Sequence, residues 1–242
     1  MKKGKNAIWT VLSLSLALAG SLLIAQETEI RPVTVGQPMP DFTLPLLHGG
    51  DFTLSNLKGK NILLIFPRGL AAEGRWCTID NYKYAELVDF EKTAQIRQKY
   101  QVEVVYVFPY TTDIVQQWLE SNPDQLEKIK TWKYPADLEK LDEQGKARLE
   151  RSKRGFPKDL HMNKGDVPTP FPILIDAERK VSKGLGIFAA EWGGSKVDQC
   201  ITSVFIVDKN GTLQFKYIGQ NTWDRPSYEY LFQTLEQINK SK

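Results

Sequence analysis

The chain has 242 residues, of which 41% are hydrophobic and 25% charged, so it can bury a full core and is neither disordered nor of low complexity. Its formal net charge of +3 comes from three lysines among residues 1–5, which leaves residues 26–242 neutral and gives no global reason to expect nucleic acid or an acidic membrane surface as a partner. Two cysteines are too few for a disulfide-rich scaffold, although an even number permits one bridge in an exported protein.

Residues 1–25 have the pattern of a targeting segment. The lysines are followed by an uncharged apolar stretch of 19 residues, and Gln-Glu-Thr-Glu then restores polarity. This length lies between that of a signal peptide's apolar region and that of a membrane-spanning helix of about 20 residues. Three serines and a glycine dilute the stretch, which favours a signal peptide cleaved near Ala25 over a retained anchor. Both alternatives predict an exported protein, periplasmic or otherwise extracytoplasmic.

The next segments predict the start of an α/β domain. Residues 26–40 carry three prolines and no apolar period, so we expect a linker or an extended lead-in to a domain over residues 41–242. Two DFTL segments flank a His-Gly-Gly turn and predict an N-terminal hairpin. The continuous apolar run NILLIF, residues 61–66, is typical of a buried central strand.

Helices and strands then alternate along the chain. Residues 76–100 have a helical pattern, and QVEVVYVFP predicts a second buried strand. We expect the following helix, DIVQQWLESN, to be ended by Pro123. The order strand, helix, strand, helix predicts a parallel α/β arrangement.

Residues 123–165 interrupt this order and predict a charged, partly helical insertion. Between Gln144 and Lys158 there are six basic residues and one acidic residue, a net charge of +5. This basic stretch is either a face for a partner or an acidic surface, or simply a solvated helix, which is the interpretation we favour.

The C-terminal third predicts two more strand regions and a last helix. FPILID opens a strand, and residues 200–219 contain two β-rich runs joined by Asp-Lys-Asn-Gly. We expect Asn210 and Gly211 to supply the positive φ angles of a tight hairpin. An amphipathic helix is predicted from about Arg225 to Ile238.

The segment PRGLAAEGRWCTID, residues 67–80, is the candidate site, because it places Cys77 between a buried strand and a helix. A sulfur at a helix N-terminus meets unpaired N–H groups and the positive end of the dipole, which favour the reactive thiolate, and Arg68 and Arg75 would add to this effect. Asp80 works in the opposite direction, because a nearby carboxylate raises the pKa of a thiol. Cys77 is thus either redox-active or a small buried hydrophobe.

Five phrases of the sequence resemble the peroxiredoxin branch of the thioredoxin-fold superfamily, the alkyl hydroperoxide reductase and thiol-specific antioxidant group. The resemblance covers about residues 35–240 and implies a thioredoxin-like fold, with a central mixed sheet, helices on both faces and a reactive site at the start of the helix after the first core strand. The phrases are VGQPMPDFTLP, LSNLKGKNILLIFP, FPILIDAERKVSKGLGI, VFIVDKNGTLQFKYIGQ and DRPSYEYLFQTLE.

The sequence departs from this family where the chemistry would occur. Counting seven residues from Pro67, as in the peroxiredoxin motif Pro-x-x-x-Thr-x-x-Cys, leads to Gly74. Aligned on the Trp-Cys pair instead, Cys77 takes the first cysteine position of thioredoxin-like relatives and Asp80 takes the peroxidatic position. The arginine often found ahead of the VFIVD-type strand appears here as Thr202.

Cys200 is the partner that the resemblance implies for Cys77. In thioredoxin folds the loop ahead of the strand SVFIVD faces the active-site helix, so the two sulfurs are expected to come within reach of a disulfide. Cys77 would attack a peroxide or a protein disulfide, and Cys200 would resolve the product as an intramolecular bridge that an external thiol reduces. A purely structural bridge is the open alternative.

The sequence therefore predicts an exported, peroxiredoxin-like antioxidant thiol oxidoreductase with Cys77 and Cys200 as catalytic residues. The alternative is a redox-inactive thioredoxin-fold binding module of the cell envelope that holds a protein partner at its insertion. No cofactor and no metal are expected, because His48 and His161 are isolated in the sequence and no phosphate-binding glycine loop is present. Nucleic acid is not an expected partner, and membrane contact is expected only through residues 7–25 if they are retained.

Overall fold

The structure is a computed structural model that describes residues 30–241. The predicted signal peptide or anchor lies outside the described residues. Within residues 30–241 no helix is both long enough and apolar enough to cross a membrane.

Eleven strands and seven α-helices are formed within this range, together with 3-10 turns at Leu54–Leu57 and Leu138–Lys140. The strands are β1 (Thr43–Pro45), β2 (Asp51–Thr53), β3 (Asn61–Phe66), β4 (Leu70–Ala72), β5 (Arg75–Trp76), β6 (Val102–Phe108), β7 (Ile173–Ile175), β8 (Phe188–Ala189), β9 (Gln199–Cys200), β10 (Ser203–Val207) and β11 (Leu213–Ile218). The helices are α1 (Thr78–Ala94), α2 (Ile96–Tyr100), α3 (Thr112–Glu120), α4 (Asn122–Lys133), α5 (Glu143–Gly155), α6 (Lys180–Gly184) and α7 (Tyr228–Lys240).

The central sheet has five strands in the order β11, β10, β3, β6, β7. Strands β3, β6 and β7 are parallel, as the alternation of strands and helices predicts, whereas β10 runs antiparallel to both β3 and β11. The predicted central mixed sheet is therefore confirmed. All six residues of β3 are buried because elements cover the sheet on both sides.

Alternate residues of β3 belong to the two cores of the domain. Leu63 and Ile65 face a large cluster formed with α1, α3, α4 and α7. Ile62, Leu64 and Phe66 face a smaller cluster formed with α6 and the N-terminal lead-in. Both faces of the sheet are thus covered, as the resemblance implies.

The lead-in is extended and packs on the domain. The Gly36 N–H donates to Leu213 O at 2.8 Å, and the Met39 N–H donates to Gly211 O at 2.9 Å. Val33 and Met39 are buried in the smaller core. The hairpin that follows is formed as predicted, by antiparallel pairing of β1 with β2.

Two local predictions need correction. Pro123 does not act as a helix stop, because α3 ends at Glu120 and Pro123 lies in the first turn of α4, where its missing N–H has no intrahelical partner to lose. At the β10–β11 hairpin only Gly211 has a positive φ angle, of 84°, and Asn210 does not. The Asp208 side chain closes this turn by accepting from the N–H groups of Asn210 and Thr212.

The insertion is helical and becomes part of the larger core. Helix α4 contributes Leu126 and Ile129 to that core, and Phe156, just after α5, is buried there as well. Helix α5 begins at Glu143, where the Asp142 side chain caps it by accepting from the Gly145 N–H at 2.7 Å.

Candidate functional site

Cys77 is the N-cap residue of α1, at the end of a short ribbon that follows β3. The ribbon pairs β4 with β5 and consists of residues 70–76, Leu-Ala-Ala-Glu-Gly-Arg-Trp. The Cys77 N–H donates to Gly69 O at 2.8 Å, and Cys77 as a whole is only 3% exposed. The predicted position of the sulfur at a helix N-terminus is thus found, but the sulfur is buried rather than open to solvent.

The Asp80 carboxylate lies in the first turn of α1 and is surrounded by hydrogen-bond donors. Its Oδ1 accepts from Arg225 Nε at 2.9 Å and Nη2 at 2.8 Å. Its Oδ2 accepts from the backbone N–H groups of Arg68 at 2.7 Å and Gly69 at 3.2 Å. Both oxygens are therefore satisfied by charge-assisted hydrogen bonds in a buried site.

Gly69 is required at its position for steric reasons as well as conformational ones. Its φ angle is 74°, and a Cβ atom built there would lie 2.4 Å from the Tyr110 ring. The Tyr110 hydroxyl accepts from the Leu70 N–H at 3.1 Å and lies 2.7 Å from Arg68 O, so the ring holds the backbone whose N–H groups face Asp80.

Arg225 joins the two groups of the site. This arginine lies in the loop between β11 and α7, and its side chain is 5% exposed. Its Nη2 lies 3.6 Å from Cys77 Sγ as well as 2.8 Å from Asp80 Oδ1. Nη1 donates to the carbonyl oxygens of Thr222 and Asp224, which fixes the guanidinium in place.

The sequence did not indicate Arg225 as a site residue, because the resemblance placed the expected arginine at position 202, which is a threonine. No short motif marks Arg225, because its partners Cys77 and Asp80 are about 150 residues away in the sequence. The Thr202 hydroxyl is buried and has no hydrogen-bond partner among the described residues. It lines a cavity of about 30 Å³ together with Asp80 and Arg225, which is room for a molecule of about the size of water.

The pKa of the Cys77 thiol is raised from an ordinary value of 9.0 to about 11. Burial is the largest cause and the Asp80 carboxylate the second, whereas Arg225, a backbone hydrogen bond and Arg68 lower the pKa by smaller amounts. The predicted effect of Asp80 is thus present. The lowering expected from the helix terminus is outweighed by desolvation, so Cys77 is a protonated thiol at neutral pH.

The two arginines that the sequence placed near Cys77 have different surroundings. Arg75 is exposed on β5, whereas Arg68 is buried and its guanidinium is hydrogen-bonded to other side chains. Arg68 Nε donates to Gln199 Oε1 at 2.6 Å, and Nη2 donates to Ser195 Oγ at 2.6 Å. The guanidinium also lies 5.5 Å from the centre of the Trp192 ring. Arg68 therefore connects the start of the β4–β5 ribbon to the loop of residues 191–196.

Cys200 lies in a different environment from Cys77. It belongs to β9, which pairs with β8, and it is fully buried in the smaller core, on the side of the sheet opposite to α1. Burial, followed by the Asp176 charge, raises the pKa of the Cys200 thiol well above its ordinary value. Both cysteines are free thiols in this structure, so the predicted bridge is not formed here. Their catalytic roles stay predictions.

The two histidines do not join the site. His48 and His161 are both exposed, and the His161 ring lies 3.2 Å from Asn163 Oδ1. Among residues 30–241 there is no group of three or more histidine, cysteine, aspartate or glutamate side chains arranged to hold a metal ion.

The mixed five-stranded sheet, with a cysteine at the start of the helix that follows β3, defines a thioredoxin-fold protein with a helix-terminal thiol. The chain belongs to the AhpC/TSA family, whose model matches residues 35–216. Membership of this family supports a thiol oxidoreductase of the peroxiredoxin type and confirms the resemblance on which the sequence-based prediction relied.

Solved peroxiredoxin structures share the fold at low sequence identity. A cysteine-to-serine mutant of peroxiredoxin 6 from Arenicola marina is 14% identical, with a TM-score of 0.55 over 86% of this chain and 74% of that chain. AhpC from Mycobacterium tuberculosis is 15% identical, with a TM-score of 0.52 over 87% and 96%. The reduced 2-Cys peroxiredoxin of Plasmodium vivax is also 15% identical, with a TM-score of 0.51 over 86% and 83%. No curated protein matches the chain.

Proposed function

We propose that the protein is a peroxiredoxin-like thiol oxidoreductase in which the Cys77 thiol reduces a small peroxide. The observation that carries this proposal is the contact between Cys77 Sγ and the buried Arg225 guanidinium, at 3.6 Å. The positive charge of Arg225 and the N-terminus of α1 both stabilise a thiolate once it forms, and the thiolate is the form that attacks peroxide. Burial and Asp80 raise the pKa of Cys77 more than Arg225 lowers it, so Arg225 acts on a small thiolate fraction at neutral pH.

The reaction is a two-electron oxidation of the sulfur. The Cys77 thiolate attacks one peroxide oxygen and the O–O bond breaks, which leaves a sulfenic acid on Cys77 and releases the other oxygen as water or an alcohol after it takes up a proton. An external thiol then condenses with the sulfenic acid to give a mixed disulfide and water. A second equivalent of that thiol attacks the mixed disulfide, which releases the oxidised donor and restores Cys77.

A small peroxide suits this site better than a protein disulfide does. Cys77 is only 3% exposed, so a disulfide on another protein cannot reach the sulfur without a rearrangement of the loops around it. A small peroxide needs a much smaller opening to reach the sulfur than a folded protein does. With a pKa of about 11, roughly one thiol in ten thousand is ionised at pH 7, so we expect slow turnover at neutral pH.

Cys200 remains the predicted resolving cysteine. It is buried in the smaller core, and no bridge to Cys77 is formed in the structure. Reduction of the sulfenic acid by an external thiol does not need Cys200. The Cys200→Ser variant therefore shows whether Cys200 or the external thiol reacts first with oxidised Cys77.

The proposal is tested by following hydrogen peroxide consumption with dithiothreitol as the donor, in the wild type, Cys77→Ser and Cys200→Ser. We expect Cys77→Ser to lose the thiol-dependent rate, and dimedone to label Cys77 in the oxidised wild type, as read by mass spectrometry. If Cys200 resolves, Cys200→Ser accumulates more labelled Cys77 and an intramolecular bridge is found only in the wild type. Equal rates in Cys77→Ser and the wild type would overturn the proposal.

A redox-inactive binding module is the second candidate function, and the Asp80 carboxylate is the observation that favours it. The carboxylate occupies the donors of Arg225, Arg68 and Gly69 and helps to keep the Cys77 thiol protonated. A binding module would show no dimedone label on Cys77 even at pH 10, where the thiolate fraction is much larger. Its partner would also bind Cys77→Ser as tightly as the wild type.

We further propose that the protein is exported. The lysines and the apolar stretch within residues 1–25 support this, since they have the order of a signal peptide. Fractionation of cells that express the full chain with a C-terminal tag is expected to place it in the cell envelope. A chain of full mass in the cytosolic fraction would contradict export.

A further inference from the structure

A groove lies between the helices of the insertion, on the surface next to the loop that carries Arg225. Its volume is about 470 Å³, and helices α4 and α5 contribute most of its walls. Trp223, two residues before Arg225 in the chain, closes one side. Its lining includes Trp132, Leu141, Arg148, Leu149, Arg151 and Trp223.

The apolar surface of the groove consists of two exposed tryptophans that pack on a buried residue. Trp132 and Trp223 are 37% and 48% exposed, which is unusual for tryptophan in a chain that has a large core available. The buried ring of Phe156 packs against both, with centroid distances of 6.1 Å in each case. Phe156 itself packs on Tyr82 of α1 at 5.0 Å, so the two indoles rest on the core rather than on a loop.

The charged part of the groove comes from two arginines of α5. Within residues 30–241, neither Arg148 nor Arg151 makes an ion pair, whereas Lys146 and Lys153 of the same helix pair with Glu143 and Glu150. The arginines are three residues apart, which places them on one helix face with Cβ atoms about 5–6 Å apart. They leave uncompensated positive charge beside an exposed apolar surface.

We propose that this groove binds an extended acidic segment of a partner protein. Alternate residues of an extended peptide lie on one side of it, about 6.8 Å apart, which is close to the spacing of the two arginines. Two carboxylates at alternating positions would each receive a guanidinium, and a neighbouring aromatic or aliphatic side chain would cover Trp132 and Trp223. The occupant is therefore an acidic peptide with an apolar anchor.

The shape and charge of the molecule favour a peptide over other polyanions. Residues 26–242 carry no net charge, so the net charge of +5 between Gln144 and Lys158 is local and is not part of a positive field over the whole protein that would draw a nucleic acid. The surface is concave, with its arginines at a groove between two helices, whereas a membrane surface would need a projecting or flat face. An extended peptide fits a groove of this kind and needs few charges to be recognised.

Binding in the groove does not depend on the chemistry of Cys77, although Trp223 would bring the partner close to Arg225. Either proposal can therefore be overturned without affecting the other. Cys77→Ser is expected to bind the peptide as tightly as the wild type, and the groove variants are expected to keep the reactivity of Cys77.

The test uses a fluorescein-labelled ten-residue peptide with glutamates at alternating positions flanked by leucine and phenylalanine, and it follows fluorescence anisotropy in the full chain. We expect the double variant Arg148→Ala/Arg151→Ala to weaken binding by about tenfold or more. The matched control Lys146→Ala/Lys153→Ala removes the same charge from the same helix outside the groove, and we expect a change of less than about twofold. Circular dichroism checks that all variants are folded.

Four outcomes would overturn the proposal. In the first, the control variant weakens binding as much as the groove variant does, which would mean that the peptide is held by general charge attraction. A peptide with glutamine in place of glutamate binds equally well, or no binding is found at millimolar protein. Vesicles of phosphatidylglycerol retain the wild type while the peptide does not bind, which would assign the face to a lipid surface instead.

Discussion

Arg225 Nη2 lies 2.8 Å from Asp80 Oδ1 and 3.6 Å from Cys77 Sγ, so one guanidinium is shared between a carboxylate and a thiol. The guanidinium interacts more strongly with the carboxylate than with the thiol, because Arg225 Nε also donates to the same carboxylate oxygen. The pKa of Cys77 is raised by burial and by Asp80 more than Arg225 lowers it. Asp80 therefore controls how much of the arginine's charge is available to the sulfur.

Replacing Asp80 with asparagine is expected to make Cys77 more reactive. The substitution removes the negative charge that raises the pKa of the thiol and leaves Arg225 to stabilise the thiolate. In a Cys200→Ser background, we expect Asp80→Asn to speed alkylation by iodoacetamide at pH 8 by at least about threefold. Asp89→Asn removes a half-buried carboxylate of the same helix that pairs with Lys158 at 3.2 Å, and as the control it should leave the rate unchanged. A slower reaction in Asp80→Asn would contradict this account of the site.

The alkylation of Cys77 is expected to depend steeply on pH. The reactive form is the thiolate, and a pKa raised to about 11 means that the thiolate fraction keeps increasing through the alkaline range. The rate in the Cys200→Ser background should thus rise about tenfold per pH unit from pH 7 to about pH 10 and level off near pH 11. A plateau already reached at pH 8 would show that Cys77 is not held protonated.

The buried pair of Asp80 and Arg225 is expected to couple strongly in stability. Arg225→Met leaves a buried carboxylate without its counter-ion, which should lower the free energy of unfolding by about 3–5 kcal/mol. The double variant Asp80→Asn/Arg225→Met removes both charges and should be less destabilised than the sum of the single variants, by about 2 kcal/mol or more.

Urea unfolding of the four proteins measures this coupling. The exposed pair Glu150 and Lys153, with side chains 66% and 48% exposed, is the matched control, and its coupling is expected to stay below about 1 kcal/mol. Additive effects at Asp80 and Arg225 would indicate that the two side chains do not interact in solution.

A cysteine at position 80 is expected to react with peroxide faster than Cys77 does. The backbone N–H groups of Arg68 and Gly69 and the guanidinium of Arg225 all point at that position, and each favours a thiolate over a thiol. We expect Cys77→Ser/Asp80→Cys to consume hydrogen peroxide with dithiothreitol at a higher rate than the wild type at pH 7. Cys77→Ser/Asp80→Ser controls for the loss of the carboxylate. No gain over that control would show that the donors cannot activate a sulfur.

Sequence patterns predicted the elements whose signals are local. The apolar run of β3, the hairpin of β1 with β2 and the β10–β11 hairpin were all readable, because burial and turn residues act over a few positions. The details of a turn were less readable. Asn210 was expected at a positive φ angle, but hydrogen bonds that the Asp208 carboxylate accepts from backbone N–H groups support a different turn, in which Gly211 alone needs that conformation.

The sequence predicted only the part of the site that lies at the start of α1. Cys77 and Asp80 lie within one turn of each other at the start of α1, so the sequence alone predicted that the Asp80 carboxylate raises the pKa of the Cys77 thiol. Arg225 comes from a distant loop, and only the folded chain places it between them. The side of the sheet on which Cys200 lies was also not readable, because its orientation depends on the pairing of β9 with β8.

The contact of Phe156 with Tyr82 means that the insertion is not a removable appendage. Leu126 and Ile129 fill the same core, and the Gln125 side chain accepts a hydrogen bond of 2.6 Å from the Thr78 hydroxyl in the first turn of α1. A chain trimmed of residues 123–165 would uncover the outer side of the helix that begins at Cys77. Any shortened version of this protein therefore needs a replacement wall for α1 before it can present its thiol.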